Sequence, residues 1–155
     1  MPLVEPGKKA PAFTLKDQHG TATRLTDLAG RPVVLYFYPK DDTPGCTTEA
    51  CDFESLLPRF GSHKAVVLGV SILDEASKAR FAGKHHLTFP LLADPDHAVA
   101  EKYGVWQKKT RYGRSYMGIV RTTYLIDRDG RVAKRWDNVK VDGHADDVLA
   151  AADAL

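Results

Sequence analysis

The longest unbroken apolar run in the chain, Val33-Val34-Leu35-Tyr36-Phe37-Tyr38, is rich in β-formers and predicts a central strand buried on both faces. Pro39 ends it, and Pro39-Lys40-Asp41-Asp42-Thr43-Pro44-Gly45 has the composition of a loop. A helix is expected from about residue 44 until Pro58 stops it. Ala65 to Ser71 predicts a second buried strand, and Glu75 to His85 a helix whose end Gly83 weakens. Phe89 to Ala93 predicts a short strand, which Pro90 would put at an edge or a bulge. Ala98 to Tyr103 reads as a short helix closed by Gly104. Two hairpins are expected. One has arms 11–15 and 21–25 around Asp17-Gln18-His19-Gly20. The other has arms 119–126 and 131–136 around Asp127-Arg128-Asp129-Gly130. The alanine-rich stretch from Ala145 to Leu155 predicts a last helix.

The resulting order is hairpin, β, α, β, α, β, α, hairpin, α. It fits an α/β chain with a thioredoxin-like fold, a central mixed sheet flanked by helices and preceded by an N-terminal hairpin. The 155 residues suit one domain over 1–155, and no linker, repeat or low-complexity segment divides them. The net charge of +2 is diffuse, so neither nucleic acid nor a membrane surface is expected as a partner. No run approaches the length of a membrane-spanning helix, and the start of the chain lacks an apolar leader. With only two cysteines there is no disulfide framework, and a cytoplasmic location is expected.

Those two cysteines, Cys46 and Cys51, carry the candidate chemistry. Thr43 suits an N-cap and Pro44 the first helical position, so Cys46 falls in the first turn. Unpaired N–H groups and the positive end of the helix dipole favour a thiolate there. Cys46, Ala50, Phe53 and Leu57 follow the spacing of a core-facing stripe. Cys51 lies about 140° round the helix from Cys46, beside Thr47 and Glu54 on the more polar side. The bland reading of Cys46 is a small core hydrophobe and that of Cys51 an incidental surface thiol, but incidental surface thiols are uncommon because they invite oxidation. The helix-terminal position of Cys46 and the nearness of a second thiol favour a paired redox role instead. In an intact helix, residues five apart have Cα atoms roughly 8.6 Å apart. A disulfide tolerates about 7 Å. A Cys46–Cys51 bridge therefore requires the first turn to unwind.

The segment from Phe37 to Phe53, FYPKDDTPGCTTEACDF, resembles the signature of the peroxiredoxin Q (bacterioferritin-comigratory) subfamily of peroxiredoxins. Pro39, Thr43 and Cys46 match the peroxiredoxin pattern of Pro, three residues, Thr or Ser, two residues, Cys. Cys51 matches the subgroup that resolves within the same helix. Val70-Ser71, Phe89 to Asp94, Lys102 to Trp106 and Gly118 to Asp127 are also similar, so the resemblance spans nearly the whole chain. Ser77-Lys78 departs from it, since many relatives carry Ser-His there. The resemblance implies a thioredoxin-dependent thiol peroxidase that uses neither metal nor organic cofactor. Cys46 would be the peroxidatic thiolate and Cys51 the resolving thiol. Hydrogen peroxide or an organic hydroperoxide would be the substrate, and thioredoxin or a similar dithiol the reductant. Relatives of this subgroup are often monomers, and a monomer is expected.

The same resemblance gives Thr43, Arg121 and Pro39 catalytic roles. The Thr43 hydroxyl would bond the sulfur and a peroxide oxygen, Arg121 would hold the thiolate and polarise the peroxide, and Pro39 would shield the pocket. Taken alone, Thr43 reads as a cap, Pro39 as a strand terminator and Arg121 as a surface arginine. Arg121 does alternate with Ile119, Thr123 and Leu125, which puts it on an apolar face. Glu49, one turn from Cys46, reads only as a favourable charge near the helix N-terminus. The six histidines show no zinc spacing, and no metal is assigned. Two other functions compete: a general disulfide oxidoreductase, disfavoured because four residues rather than two separate the cysteines, and a redox sensor with a reversible Cys46–Cys51 disulfide.

Overall fold

The computed structural model describes residues 2–155. A seven-stranded mixed sheet forms its centre. In chain order its strands are β1 (Thr14–Lys16), β2 (Ala22–Arg24), β3 (Val33–Phe37), β4 (Val66–Ser71), β5 (Leu91–Ala93), β8 (Thr122–Ile126) and β9 (Val132–Trp136). In space they run β2-β1-β5-β4-β3-β8-β9. Strands β3, β4 and β5 are parallel, whereas β8 is antiparallel to β3 and β9 to β8. The helices are α1 (Pro44–Ser62), α2 (Glu75–His85), α3 (Ala98–Lys102) and α4 (His144–Asp153).

Strand β3 is buried at every position, as its apolar run requires. Its side chains alternate between two cores. Val34 and Tyr36 pack with Phe53 and Phe60 of α1, Phe81 of α2 and Val148 of α4. Val33, Leu35 and Phe37 pack on the opposite face with Val99, Tyr103 and Tyr124. Both predicted hairpins form, and α2 has the predicted limits.

Three expectations need correction. Pro58 does not end α1, which continues to Ser62. An interior proline costs about 3 kcal/mol. Phe60, two residues on, is fully buried against Phe53, and a buried Phe is worth roughly 1.5–3 kcal/mol. Tertiary packing thus carries the helix past a local stop. Pro90 does not put its strand at an edge, because β5 lies between β4 and β1. The proline stands just before the strand, and the Gln18 amide bridges it, donating to the Phe89 carbonyl at 3.0 Å and accepting from the Leu91 N–H at 2.8 Å. The expected strand over 119–126 is interrupted at Val120-Arg121. Ile119 instead ends a separate hairpin of β6 (Trp106–Arg111) and β7 (Arg114–Ile119).

That hairpin had no sequence signal. Its strands are mostly exposed and basic, so no apolar face marks them. Its turn, Tyr112-Gly113, has positive φ at both residues, 52° and 74°. Such a turn favours Asn-Gly or Asp-Gly, and a tyrosine there does not announce it.

Candidate active site

The site lies where β3 ends and α1 begins. Pro39 follows β3, the loop 40–43 turns the chain, and Thr43 occupies the N-cap with extended backbone. The Thr43 carbonyl accepts from the Thr47 N–H at 2.8 Å, closing the first turn. The Thr43 side chain does not cap the helix. Its hydroxyl donates to the Lys40 carbonyl at 3.1 Å, and this leaves the hydroxyl lone pairs to accept from a substrate. Thr43 is therefore in the expected place, without the expected bond to the sulfur.

Cys46 is 1% exposed, on the inner face of the first turn with Ala50 and Phe53 behind it. Arg121 reaches it from the linker between β7 and β8, whose backbone is held by the Val139 N–H donating to the Arg121 carbonyl at 3.0 Å. Arg121 Nη2 donates to Cys46 Sγ at 3.3 Å, and Nη1 donates to Glu49 Oε1 at 2.7 Å. One planar guanidinium thus spans a full turn of α1, with one arm on the nucleophile and the other on a carboxylate. The alternation expected to place Arg121 on one face with Ile119, Thr123 and Leu125 does not hold. Ile119 ends β7 and packs in the core opposite to that of Leu125, and Arg121 is turned inward from the strand interruption by its bonds to Cys46 and Glu49.

Sequence reasoning missed two contributors. Glu49 is buried, its Oε2 has no hydrogen-bond partner, and burial outweighs the pull of Arg121 to push its carboxyl up to about 7. The signal available was its i+3 spacing from Cys46, which sets it on the same helix face. Gly45 is the other. A Cβ there would stand 3.3 Å from Arg121 Nη2, so the guanidinium lies against a backbone without a side chain. No local pattern announces that approach.

Arg121 and Pro39 also line a cavity of about 520 Å³ with Gln107, Lys109, Val120 and Asn138. The β6–β7 hairpin supplies its basic wall. Lys109 donates to the Ile119 carbonyl at 3.0 Å, and burial next to Arg121 lowers its pKa. A smaller cavity of about 350 Å³ at the opposite end of β3 is lined by Leu25, Leu28, Val33 and Ile126 and holds no reactive thiol.

Cys51 is half-buried on α1 and free, as is Cys46. Burial and the nearby Asp52 and Glu54 carboxylates push its pKa up, which keeps it a protonated thiol while the helix is intact. Helix α1 is continuous past both residues, so the unwinding needed for a bridge has not occurred in this state.

A buried first-turn cysteine under an arginine, at the end of a central strand of a thioredoxin-like sheet, defines a redox thiol site. Residues 6–135 match the AhpC/TSA family, and the chain belongs to it. Within that family it resembles peroxiredoxin Bcp and peroxiredoxin Q. It is 48% identical over 146 residues to peroxiredoxin Bcp of Bacillus subtilis, covering 94% of this chain and 93% of that protein. Its structure superimposes on the bacterioferritin comigratory protein of Xanthomonas campestris with a TM-score of 0.91 at 43% identity, covering 97% and 98% of the two chains. A cysteine-to-serine variant of Xylella fastidiosa PrxQ gives a TM-score of 0.93 at 38% identity, covering 97% and 96%.

Proposed function

We propose that this protein is a thiol peroxidase that reduces hydrogen peroxide and organic hydroperoxides. The observation that carries the reading is the Arg121 guanidinium on the Cys46 sulfur, inside a buried helix N-terminus. The Cys46 thiolate attacks one oxygen of the peroxide, the O–O bond breaks, and the second oxygen leaves as hydroxide or alkoxide and takes a proton. The products are a Cys46 sulfenic acid and water or an alcohol. Negative charge moves from sulfur to the leaving oxygen, so a fixed cation acts most strongly in the transition state. Arg121 supplies that cation, Thr43 accepts a peroxide hydrogen, and Pro39 excludes water. The Cys51 thiol then condenses with the sulfenic acid, releasing water and forming the disulfide. An external dithiol such as thioredoxin reduces it and is itself oxidised. The cycle needs no metal or organic cofactor. The bacterioferritin comigratory protein of Xanthomonas campestris has alkyl peroxide reduction activity, in keeping with this reading.

In the same reading residues 1–155 act as one domain and as a monomer in the cytoplasm, with no nucleic acid or membrane partner. The diffuse net charge of +2 supports this. Among the described residues no helix is long and apolar enough to cross a membrane.

The test is NADPH-linked peroxide consumption with thioredoxin and its reductase. Turnover by the parent, its loss in Cys46→Ser, and failure of Cys51→Ser to recycle through thioredoxin are the expected results. Reversible disulfide formation in the parent without turnover would point to a redox sensor.

A further inference from the structure

Ser77-Lys78, the departure from the family pattern, lies against the active-site loop. Lys78 is fully buried, and Asp41, midway between Pro39 and Thr43, is 7% exposed. Lys78 Nζ donates to both Asp41 carboxylate oxygens at 3.1 Å and also contacts Ser71 Oγ. The Tyr38 hydroxyl donates to Asp41 Oδ1 at 2.5 Å, and the Ser77 hydroxyl to Oδ2 at 2.6 Å. One turn pair further along α2, Lys84 and His85 each meet the Asp42 carboxylate at 2.8 Å. Residues 77, 78, 84 and 85 repeat at i, i+1, i+7 and i+8, a single helix face. That face grips two consecutive aspartates, the second of which has a positive φ of 57°. The hydrogen bond to the reacting sulfur comes from Arg121 and from none of these groups.

We propose that Lys78 is a positioning residue whose buried pair with Asp41 clasps the loop before α1, keeping the first turn closed for attack on peroxide and slowing its opening for resolution. This rests on the reading that Cys51 resolves Cys46. The segment that must unwind lies between the clasped Asp41-Asp42 and the buried Ala50 and Phe53. If the clasp survives opening, it pins one end of the unwound segment and removes conformations from it. If the clasp breaks, its own interactions oppose opening. Both routes have the same sign. Stability alone is a weak reason for such a pair, because apolar replacements of buried ion pairs are often neutral or better. Burial lowers the Lys78 pKa against the pull of Asp41, so the charge is held at a cost.

The clasp predicts opposite changes in two rates. In Lys78→Met, Cys46 oxidation by hydrogen peroxide should slow about fivefold, and disulfide formation should quicken about fivefold. The peroxide dose that drives half of Cys46 to sulfinate should rise more than about tenfold, since sulfinate forms only while the sulfenic acid awaits Cys51. Ser77→Ala, a milder change at a half-buried position, should shift the same quantities in the same directions by about twofold. Rapid quench, alkylation and mass spectrometry of Cys46 and Cys51 read all three, at temperatures where circular dichroism shows the variant folded. A merely structural Lys78 would lower both rates or neither, and that result overturns the clasp. If Lys78→Met does not fold, Ser77→Ala decides by the same criterion. A parent that forms no Cys46–Cys51 disulfide removes the resolution reading itself, whereas a parent that forms it beside variants with unchanged rate ratios removes only the clasp.

Discussion

Glu49 and Arg121 form an ion pair of 2.7 Å, one helical turn below the nucleophile and almost sealed from solvent, with the Glu49 side chain 1% exposed. The pair fixes the guanidinium plane, so that Nη2 is left pointing at Cys46 Sγ. The orientation of the cation, and not only its charge, is built into α1.

Replacing Arg121 with Ala should lower the second-order rate of Cys46 with hydrogen peroxide by roughly 10²–10³, the usual loss on removing one transition-state charge partner. Melting temperature should fall far less, because a Glu49 carboxyl already pushed up to about 7 takes a proton once its partner is gone. Stopped-flow oxidation and thermal melts measure both. Equal activity in the variant would refute the assignment of Arg121.

Glu49 also predicts a pH dependence of stability. Its folded pKa of about 7 lies above an unfolded value of about 4.3. The folded state therefore holds the extra proton, and stability falls as pH rises between these values, by up to roughly 3 kcal/mol. Subtracting the urea stability of Glu49→Gln from that of the parent isolates this slope. A difference that stays flat from pH 5 to pH 7.5 would contradict it.

His144 acts in the opposite direction. It is buried between Phe53 and Trp136, pairs with Thr123 Oγ1 at 2.8 Å, and burial lowers its pKa to about 4. The neutral ring stabilises the fold above about pH 6.5. That contribution is lost as pH falls through about 4. His144→Gln, which can keep a hydrogen bond to Thr123, should flatten this acid limb in the same urea titrations.

Gly45→Ala should displace the guanidinium by a few tenths of an ångström, since the added Cβ would lie 3.3 Å from Nη2. A peroxide rate reduced about three- to tenfold is expected, with little loss of stability. An unchanged rate would mean that the arginine can shift without cost.

The oxidised protein should have lost the first turn of α1. A crystal structure holding an S–S bond between Cys46 and Cys51 with an unbroken helix over 44–55 would sink the unwinding argument, because the ideal-helix Cα separation of roughly 8.6 Å exceeds the reach of a disulfide.

The sequence by itself determined those features that depend on short-range pattern. An apolar run specifies β3, the Thr43-Pro44 start sets α1, and Cys46 falls in the first turn because helix geometry puts it there. The spacing of Cys46 and Cys51 implies their separation on an intact helix. Only the tertiary structure decided the rest. Phe60 carries α1 through Pro58, and Gln18, far away in sequence, lets β5 sit inside the sheet despite Pro90. The β6–β7 hairpin is mostly exposed and leaves no periodic trace. Glu49 looked like a charge near a helix end until Arg121, 72 residues on, came to meet it. Lys78 looked like a departure from a family pattern until α2 laid it on Asp41. Local pattern reports a residue's neighbours along the chain. Burial and ion pairing are made by neighbours in space, and the packing of sheet against helix chooses those.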